Sequence, residues 1–458
     1  MHPSKNGHRV IAEAISEHLS RLKATSSQRQ SYSDGRVRKS TVCPVTGTIA
    51  ARYLMPQTTV LVGFAEALSA PEVVWSLVDG GFRVIAFTRK GRASALRYSR
   101  HVVCHEICAP ESDLQASISD LHSLLISLSA QVDGGELVLL PLDDKALYLC
   151  GNVQLVKPWL LAGPLGAAAD LALNKYLQIE AARKAGFNVP KTIATQTAKE
   201  IFDLAAAESF PIILKPAECV PIDRGRVRSG RNWICANLGE LNRAVEQWAE
   251  KNLLVVQSFI AGTGEGVFGL AAPDGIRAWS AHRRLRMMNP EGSGSSACIS
   301  APVSDDLKEN VKALIVAANW RGLFMIELLR DREGTCWFVE LNGRSWGSMA
   351  LSRRQGLEYP AWSVKLAMDP GSQIGKTLPI APGMICRNIG REFMHVLFVL
   401  RGAKSSALVD PPSLCKTLGG VLRVRRGDTF YNWRRDDPKV FFADCYYTIH
   451  DNLFKARN

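Results

Sequence analysis

From residue 59 the apolar positions fall in short unbroken runs separated by helical periodicity. Thr59-Val-Leu-Val-Gly reads as a buried strand, residues 70–78 as a helix, Arg83-Val-Ile-Ala-Phe-Thr as a second strand, residues 112–130 as a helix, and Glu136-Leu-Val-Leu-Leu-Pro as a third strand. Residues 101–108 alternate like a further strand. Runs that are apolar on both faces, with helices between them, predict a parallel sheet covered on both sides. Ser69-Ala-Pro-Glu72 has the Ser-x-x-Glu spacing of a capping box, with Pro71 admissible in the first turn, and Gly80-Gly81 ends that helix.

The middle of the chain is denser in strands. Residues 211–216, 253–257, 267–271, 322–329 and 335–341 read as strands and residues 238–251 and 305–319 as helices, which predicts an α+β unit. Ahead of the first strand lie a short amphipathic helix at residues 11–22 and a Ser-, Gln-, Arg-, Gly- and Thr-rich linker at residues 25–48. After residue 381 there is one apolar helix near residues 392–400, followed by basic positions Arg423, Arg425, Arg426, Arg434 and Arg435.

Composition narrows the class. In 458 residues, 47% are hydrophobic and 22% charged, which fits a folded multidomain protein and excludes a collagen-like, wholly disordered or disulfide-knot chain. Lys plus Arg outnumber Asp plus Glu by 56 to 43, so the surface attracts anions, yet no zinc-finger, RNP or helix-turn-helix pattern directs that charge to nucleic acid. No apolar run reaches the ~18 residues of a membrane helix, and the amino terminus lacks the apolar stretch of a secretory signal. A cytoplasmic protein without a membrane span is expected. The 11 cysteines include no Cys-x-x-Cys pair and are expected to be reduced packing residues. The first strand is not followed by Gly-x-Gly-x-x-Gly, so its Rossmann-type unit predicts no dinucleotide.

The segment richest in chemistry is Phe338-Val-Glu-Leu-Asn-Gly-Arg344. Alternate strand positions share a face, so Glu340, Asn342 and Arg344 point the same way. Met325-Ile-Glu-Leu-Leu places Glu327 on a second apolar strand, and antiparallel pairing of the two would bring Glu327 beside Glu340. Carboxylate and amide oxygens suit a hard cation such as Mg²⁺, and an arginine beside them would neutralise a transferring phosphoryl group. The alternative from the residues alone is a solvent-facing pair of glutamates with Arg344 as their salt-bridge partner.

In this strand order, in Glu327 with Glu340-x-Asn342-x-Arg344, and in Lys175 and Lys215, the chain from about residue 58 to 380 resembles the ATP-grasp superfamily, which includes biotin carboxylase, carbamoyl phosphate synthetase and D-alanine-D-alanine ligase. The resemblance implies a mixed α/β and α+β architecture: an amino-terminal remnant helix and linker at 1–56, a Rossmann-like pre-ATP-grasp domain at 57–168, an ATP-grasp domain at 169–380 with a lid at about 188–260, and a carboxyl-terminal extension at 381–458. It implies ATP and one or two Mg²⁺, or Mn²⁺, as cofactors, with Glu327, Glu340 and Asn342 as metal ligands. Lys175 and Lys215 would touch the phosphates. Gln257, at a usually acidic position, would face the adenosine, the main chain around Ser258 and Phe259 would hold the adenine edge, and Glu265 would accept from the ribose. Arg284, in Ala-His-Arg-Arg-Leu-Arg286, matches the cation that faces the activated substrate, and Arg344 would stabilise phosphoryl transfer. The arginines of Asp223-Arg-Gly-Arg-Val-Arg-Ser-Gly-Arg231 stand where relatives have a glycine-rich phosphate loop. Met287 and Met288 replace a common glutamate. His282 is either a base or a structural histidine.

The implied activity is an ATP-dependent ligation of a carboxylate, through its acyl phosphate, to an amine such as an amino acid. An enzyme activating an enolate or other non-carboxylate oxygen, and a non-catalytic ATP-binding module, are the alternatives. Small-molecule acid and amine substrates and a homodimer are the expected partners. Residues 2–19 also resemble the closing segment of SGNH esterases, with His2 at the triad histidine but no Asp three residues before it and no nucleophile block. That reads either as the trace of a lost or separate hydrolase partner or as a coincidence.

Overall fold

The computed structural model describes residues 57–454 except 133–134, 156, 208–209, 229, 249–251, 293, 376–381 and 403–411. The chain divides into two compact units, residues 1–55 with 450–458, and residues 56–449. The expected amino-terminal helix, the linker and the esterase-like segment with His2 lie outside the described residues. Of the first unit only the last turn of the helix Pro438–Phe454 is described. The ten described cysteines are all free, and no helix among the described residues is long and apolar enough to cross a membrane.

The second unit opens with a parallel sheet of β1 (Thr59–Gly63), β2 (Arg83–Arg89), β3 (Val103–Ile107), β4 (Leu137–Pro141) and β5 (Trp159–Leu161), in the order β3-β2-β1-β4-β5. β1 and β4 are buried along their whole length, as their unbroken apolar runs predict. Helices Ala70–Asp79 and Leu114–Ser129 connect the strands. The chain reverses its direction of winding between β1 and β4, the place where ligands sit in open α/β sheets.

The helix at residue 70 begins where expected, but the capping box is not made. The Ser69 side chain accepts no amide of the first turn; its Oγ lies 2.6 Å from Ser345 Oγ. The Glu72 side chain, 1% exposed, pairs instead with Arg353 at 2.8 Å and Arg354 at 3.1 Å. It also accepts from the amide of Asn432 at 3.0 Å. Two guanidinium partners outcompete a single neutral cap for a buried carboxylate.

Next come β6 (Thr192–Thr195), β7 (Ile212–Pro216), a two-stranded hairpin of β8 (Ile222–Asp223) and β9 (Arg226–Val227), β10 (Trp233–Cys235) and β11 (Leu254–Ser258). β10-β7-β11-β6 form an antiparallel sheet with helices Ala198–Ala207 and Leu238–Trp248, whose apolar residues make one cluster with it. This is the segment expected to form a lid.

The largest sheet holds β12 (Thr263–Ala272), β13 (Gly275–Met287), β14 (Ser295–Ala301), β15 (Gly322–Arg330), β16 (Cys336–Asn342), β17 (Ile385–Arg387) and β18 (Thr429–Phe430), in the order β16-β15-β12-β13-β14-β17-β18. Residues 262–266, with glycine at 262, 264 and 266, lead from β11 into β12, which belongs to a different sheet. The carboxyl-terminal extension supplies β17, β18 and the helix Ile389–Arg401, so it completes the sheet.

Glu72 ties the helix Ala70–Asp79, the helix Met349–Arg354 and the turn after β18 through one carboxylate. Glu72→Gln leaves Arg353 with Asp79 and Glu358 but takes the Glu72 carboxylate from Arg354, and the expected loss is about 2 kcal/mol of stability. Urea denaturation, with limited proteolysis of residues 412–449, checks it. An unchanged midpoint would exclude Glu72 as the tie.

Candidate active site

β15 and β16 pair antiparallel with Glu327 directly opposite Glu340. Both side chains therefore stand on one face, and like charges so placed repel unless cations compensate them. Arg284 of β13 forms an ion pair with Glu327. Asn342 Nδ2 donates to Glu340 Oε1 at 2.9 Å, and Asn342 Oδ1 accepts from Arg344 Nη2 at 2.9 Å. Glycine clears this face: a Cβ on Gly264 would lie 2.6 Å from Arg284 Cδ. Two carboxylates and an amide oxygen suit Mg²⁺ in charge and hardness. Among the described residues no group of three or more His, Cys, Asp and Glu side chains is placed to hold a metal. A cation here would thus use the two glutamates with the asparagine and retain water.

Across from these carboxylates stand the two lysines. Lys215 lies on β7 opposite Val255, and Gln257, two residues further along β11, shares its face. Lys215 Nζ donates to Gln257 Oε1 at 3.0 Å, and Gln257 Nε2 donates to Thr192 Oγ1 at 2.9 Å. The amide at this position thus aims the lysine without neutralising it. Burial pushes the Lys215 ammonium down, Glu340 pulls it up, Lys175 pushes it down again and Glu327 pulls it up, so all four charges act in one cleft.

Lys175 opens the helix Lys175–Lys184, capped by Asn174 Oδ1, which accepts from the amides of Tyr176 at 3.0 Å and Leu177 at 3.1 Å. Its Nζ lies 3.4 Å from Cys219 Sγ, and burial raises that thiol to about 11. Gln178 of the same helix bonds both main-chain groups of Leu341, fixing the helix against β16 beside Glu340.

Arg344 is held by Asp144, with Nε 3.0 Å from Oδ1. Burial would lower its pKa, but Asp144 and Glu340 outweigh burial and hold it raised. Sequence reasoning missed Asp144. The signal was Asp143-Asp144 directly after an apolar strand, at the carboxyl edge of a parallel sheet. A cavity of about 330 Å³ opens beside the glutamates, lined by Ser69, Asp143, His282, Arg284, Arg344 and Arg391 among others. It lies at the carboxyl ends of β1 and β4.

Other expected residues are placed differently. Glu265 lies on the opposite face of β12 from Gly266, which is Glu327's register partner, and Arg330 grips both of its oxygens at 2.9 and 2.8 Å. It is not brought to the cleft. The amides of Ser258 and Phe259 already donate to Lys191 and Pro211 carbonyls, each at 3.1 Å. Arg224, Arg226 and Arg228 are exposed on and beside the β8–β9 hairpin, and Arg231 Nη1 donates to Gln247 at 2.7 Å. His282 is 3% exposed, packs edge-on against Phe268, and has no hydrogen-bond partner at either ring nitrogen among the described residues.

No protein-family model matches the chain, and no curated protein matches its sequence. Solved structures do match. The biotin carboxylase domain dimer of Hydrogenobacter thermophilus 2-oxoglutarate carboxylase, in complex with MgADP, ADP and bicarbonate, aligns over 72% of this chain and 74% of its own, with a TM-score of 0.53 and 16% identity. L-amino acid ligase from Bacillus licheniformis aligns over 72% and 78%, with a TM-score of 0.51 and 16% identity. N5-carboxyaminoimidazole synthetase from Staphylococcus aureus aligns over 73% and 83%, with a TM-score of 0.52 and 15% identity. The fold is that of the ATP-grasp enzymes.

Burial, reinforced by Arg284, holds the His282 imidazole down at about 3. Its unfolded value is near 6.5. Between these values the unfolded chain binds the extra proton, so stability contributed by neutral His282 is full above about pH 6.5 and falls as the pH drops. The expected slope is about 1.4 kcal/mol per pH unit for this one group. His282→Phe keeps the ring contact and should flatten the urea-stability profile between pH 6.5 and 5 by one proton. Identical slopes for the two proteins would contradict this.

Proposed function

We propose that the chain is an ATP-dependent ligase that activates a small carboxylic acid as its acyl phosphate and joins it to an amine. The observation that carries this reading is the convergence of Lys175, Lys215, Glu327, Glu340, Asn342, Arg284 and Arg344 on one cleft. Such a set has the charge to hold a triphosphate at one end and a carboxylate at the other. L-amino acid ligase and biotin carboxylase among the structural neighbours favour an acid as the activated group and, for the former, an amino acid in the reaction.

In this scheme Lys175 and Lys215 bind the phosphates, and Gln257 keeps Lys215 extended toward them. Glu327, Glu340 and Asn342 would hold Mg²⁺, which neutralises phosphate charge when bound. A substrate carboxylate oxygen attacks the γ-phosphorus, the bond to the β-phosphate oxygen breaks, and ADP leaves. Arg344, locked by Asp144, offsets charge on the transferring group, and Arg284 stabilises the acyl phosphate. The amine then attacks the acyl carbon, inorganic phosphate departs, and the ammonium proton is lost to give the amide. No side chain becomes covalently modified; position and charge lower the barrier.

Glu340→Gln should reduce ADP formation at least about 100-fold and weaken Mg-ADP binding in calorimetry, with little change in the urea midpoint. Arg344→Lys should cut turnover by a similar factor, because an ammonium cannot engage Asp144 and Asn342 together as a guanidinium does. Undiminished ADP production in both variants would exclude this cleft as the phosphoryl-transfer site.

A further inference from the structure

Arg391 stands in the first turn of the helix Ile389–Arg401, at the mouth of the cavity beside Arg284 and His282. A guanidinium there is unfavourably placed, because the positive end of the helix dipole is next to it. The neighbouring carboxylates are engaged elsewhere. Glu392 is shared by Arg286 and Arg387, Asp444 accepts from Asn388 Nδ2 at 3.2 Å, and Glu327 belongs to Arg284. Among the described residues no carboxylate oxygen lies within 4.0 Å of the Arg391 guanidinium, whose one protein hydrogen bond runs from Nη1 to the Ser295 carbonyl at 3.3 Å. Burial pushes this guanidinium down, Tyr431 and Asp444 pull it up without prevailing, and Arg284 pushes it further down.

The seat is built for this side chain. A Cβ on Gly294 would lie 2.7 Å from Arg391 Nη1, so the absence of a side chain at 294 makes the room. A partly buried guanidinium with no carboxylate in contact, on which Asp444 acts only from beyond ion-pair distance, lines a cavity that already holds a second arginine and has room for an anion.

Building on the ligase reading above, we propose that Arg391 binds a carboxylate that the substrates carry in addition to the one that is phosphorylated. Arg284, next to Glu327, faces the reacting carboxyl, and Arg391 takes the spectator. The extra carboxylate has two chemical sources, the α-carboxylate of an amino acid serving as amine and the second carboxylate of a dicarboxylic acid serving as donor. In either case the carboxyl-terminal extension reads the substrate, and a planar, two-pronged match of guanidinium to carboxylate supplies the discrimination.

The test uses the full chain as wild type, Arg391→Gln, Arg391→Lys and Gly294→Ala. ADP release with Mg-ATP is measured for α-amino acids and their amides, each combined with small monocarboxylic and dicarboxylic acids. Binding of the same compounds to the Mg-ADP complex is followed by calorimetry. The expected result is that wild type favours carboxylate-bearing members by about 10- to 100-fold. Arg391→Gln should lose that preference through KM and through binding, and Arg391→Lys should restore part of it. Gly294→Ala, which fills the seat, should behave like Arg391→Gln with the arginine still present. Loss confined to the amino acid arm identifies the amine as the source, and loss confined to the diacid arm identifies the acid. Unchanged preference and binding in both Arg391→Gln and Gly294→Ala, or no compound whose binding depends on the carboxylate, overturns the proposal. Arg391-dependent binding without ADP release from any pair would instead overturn the ligase reading alone.

Discussion

Two carboxylates held face to face on neighbouring strands are the constraint on which the rest of the cleft depends. Glu327 and Glu340 are direct register partners, and no backbone adjustment short of a slip in the β15–β16 ladder separates them. Their repulsion explains why cations gather from three parts of the fold: Arg284 from the same sheet, Lys215 from the smaller sheet, and Arg344 acting through Asn342. Each cation then needs its own positioning group. Gln257 serves Lys215, Asp144 serves Arg344, and an absent side chain at 264 serves Arg284.

Much of this was legible in the sequence because it depends on short-range periodicity. Alternation along 336–342 put Glu340 and Asn342 on one face, and apolar runs on both sides located the strands that carry them. The parallel sheet was legible for the same reason, since β1 and β4 carry unbroken apolar runs and are buried at every position. What escaped is what depends on distant partners. Asp144 meets Arg344 from 200 residues away, and nothing local distinguishes it from Asp143. The helix Tyr359–Met368 is buried on nearly every side and so has no polar face to reveal its period.

Local rules also gave way to tertiary ones. Ser69 and Glu72 have the spacing of a cap, but two arginines reach Glu72 from the helix Met349–Arg354, and charge-assisted bonds displace the local pattern. Glu265 looked available in a glycine-rich stretch, but strand pairing turned it to the far face, where Arg330 holds it. In both cases the residue type was informative and its direction was decided by the sheet.

The cavity is walled by the segment after β1, the segment after β4 and the first turn of the helix Ile389–Arg401. Contacts between positions so remote in the chain carry a loop-closure entropy that local contacts do not. A chain emerging from the ribosome carries its glutamates and lysines well before Arg391 is synthesised. The wall of this pocket is complete only once the helix Ile389–Arg401 has been made.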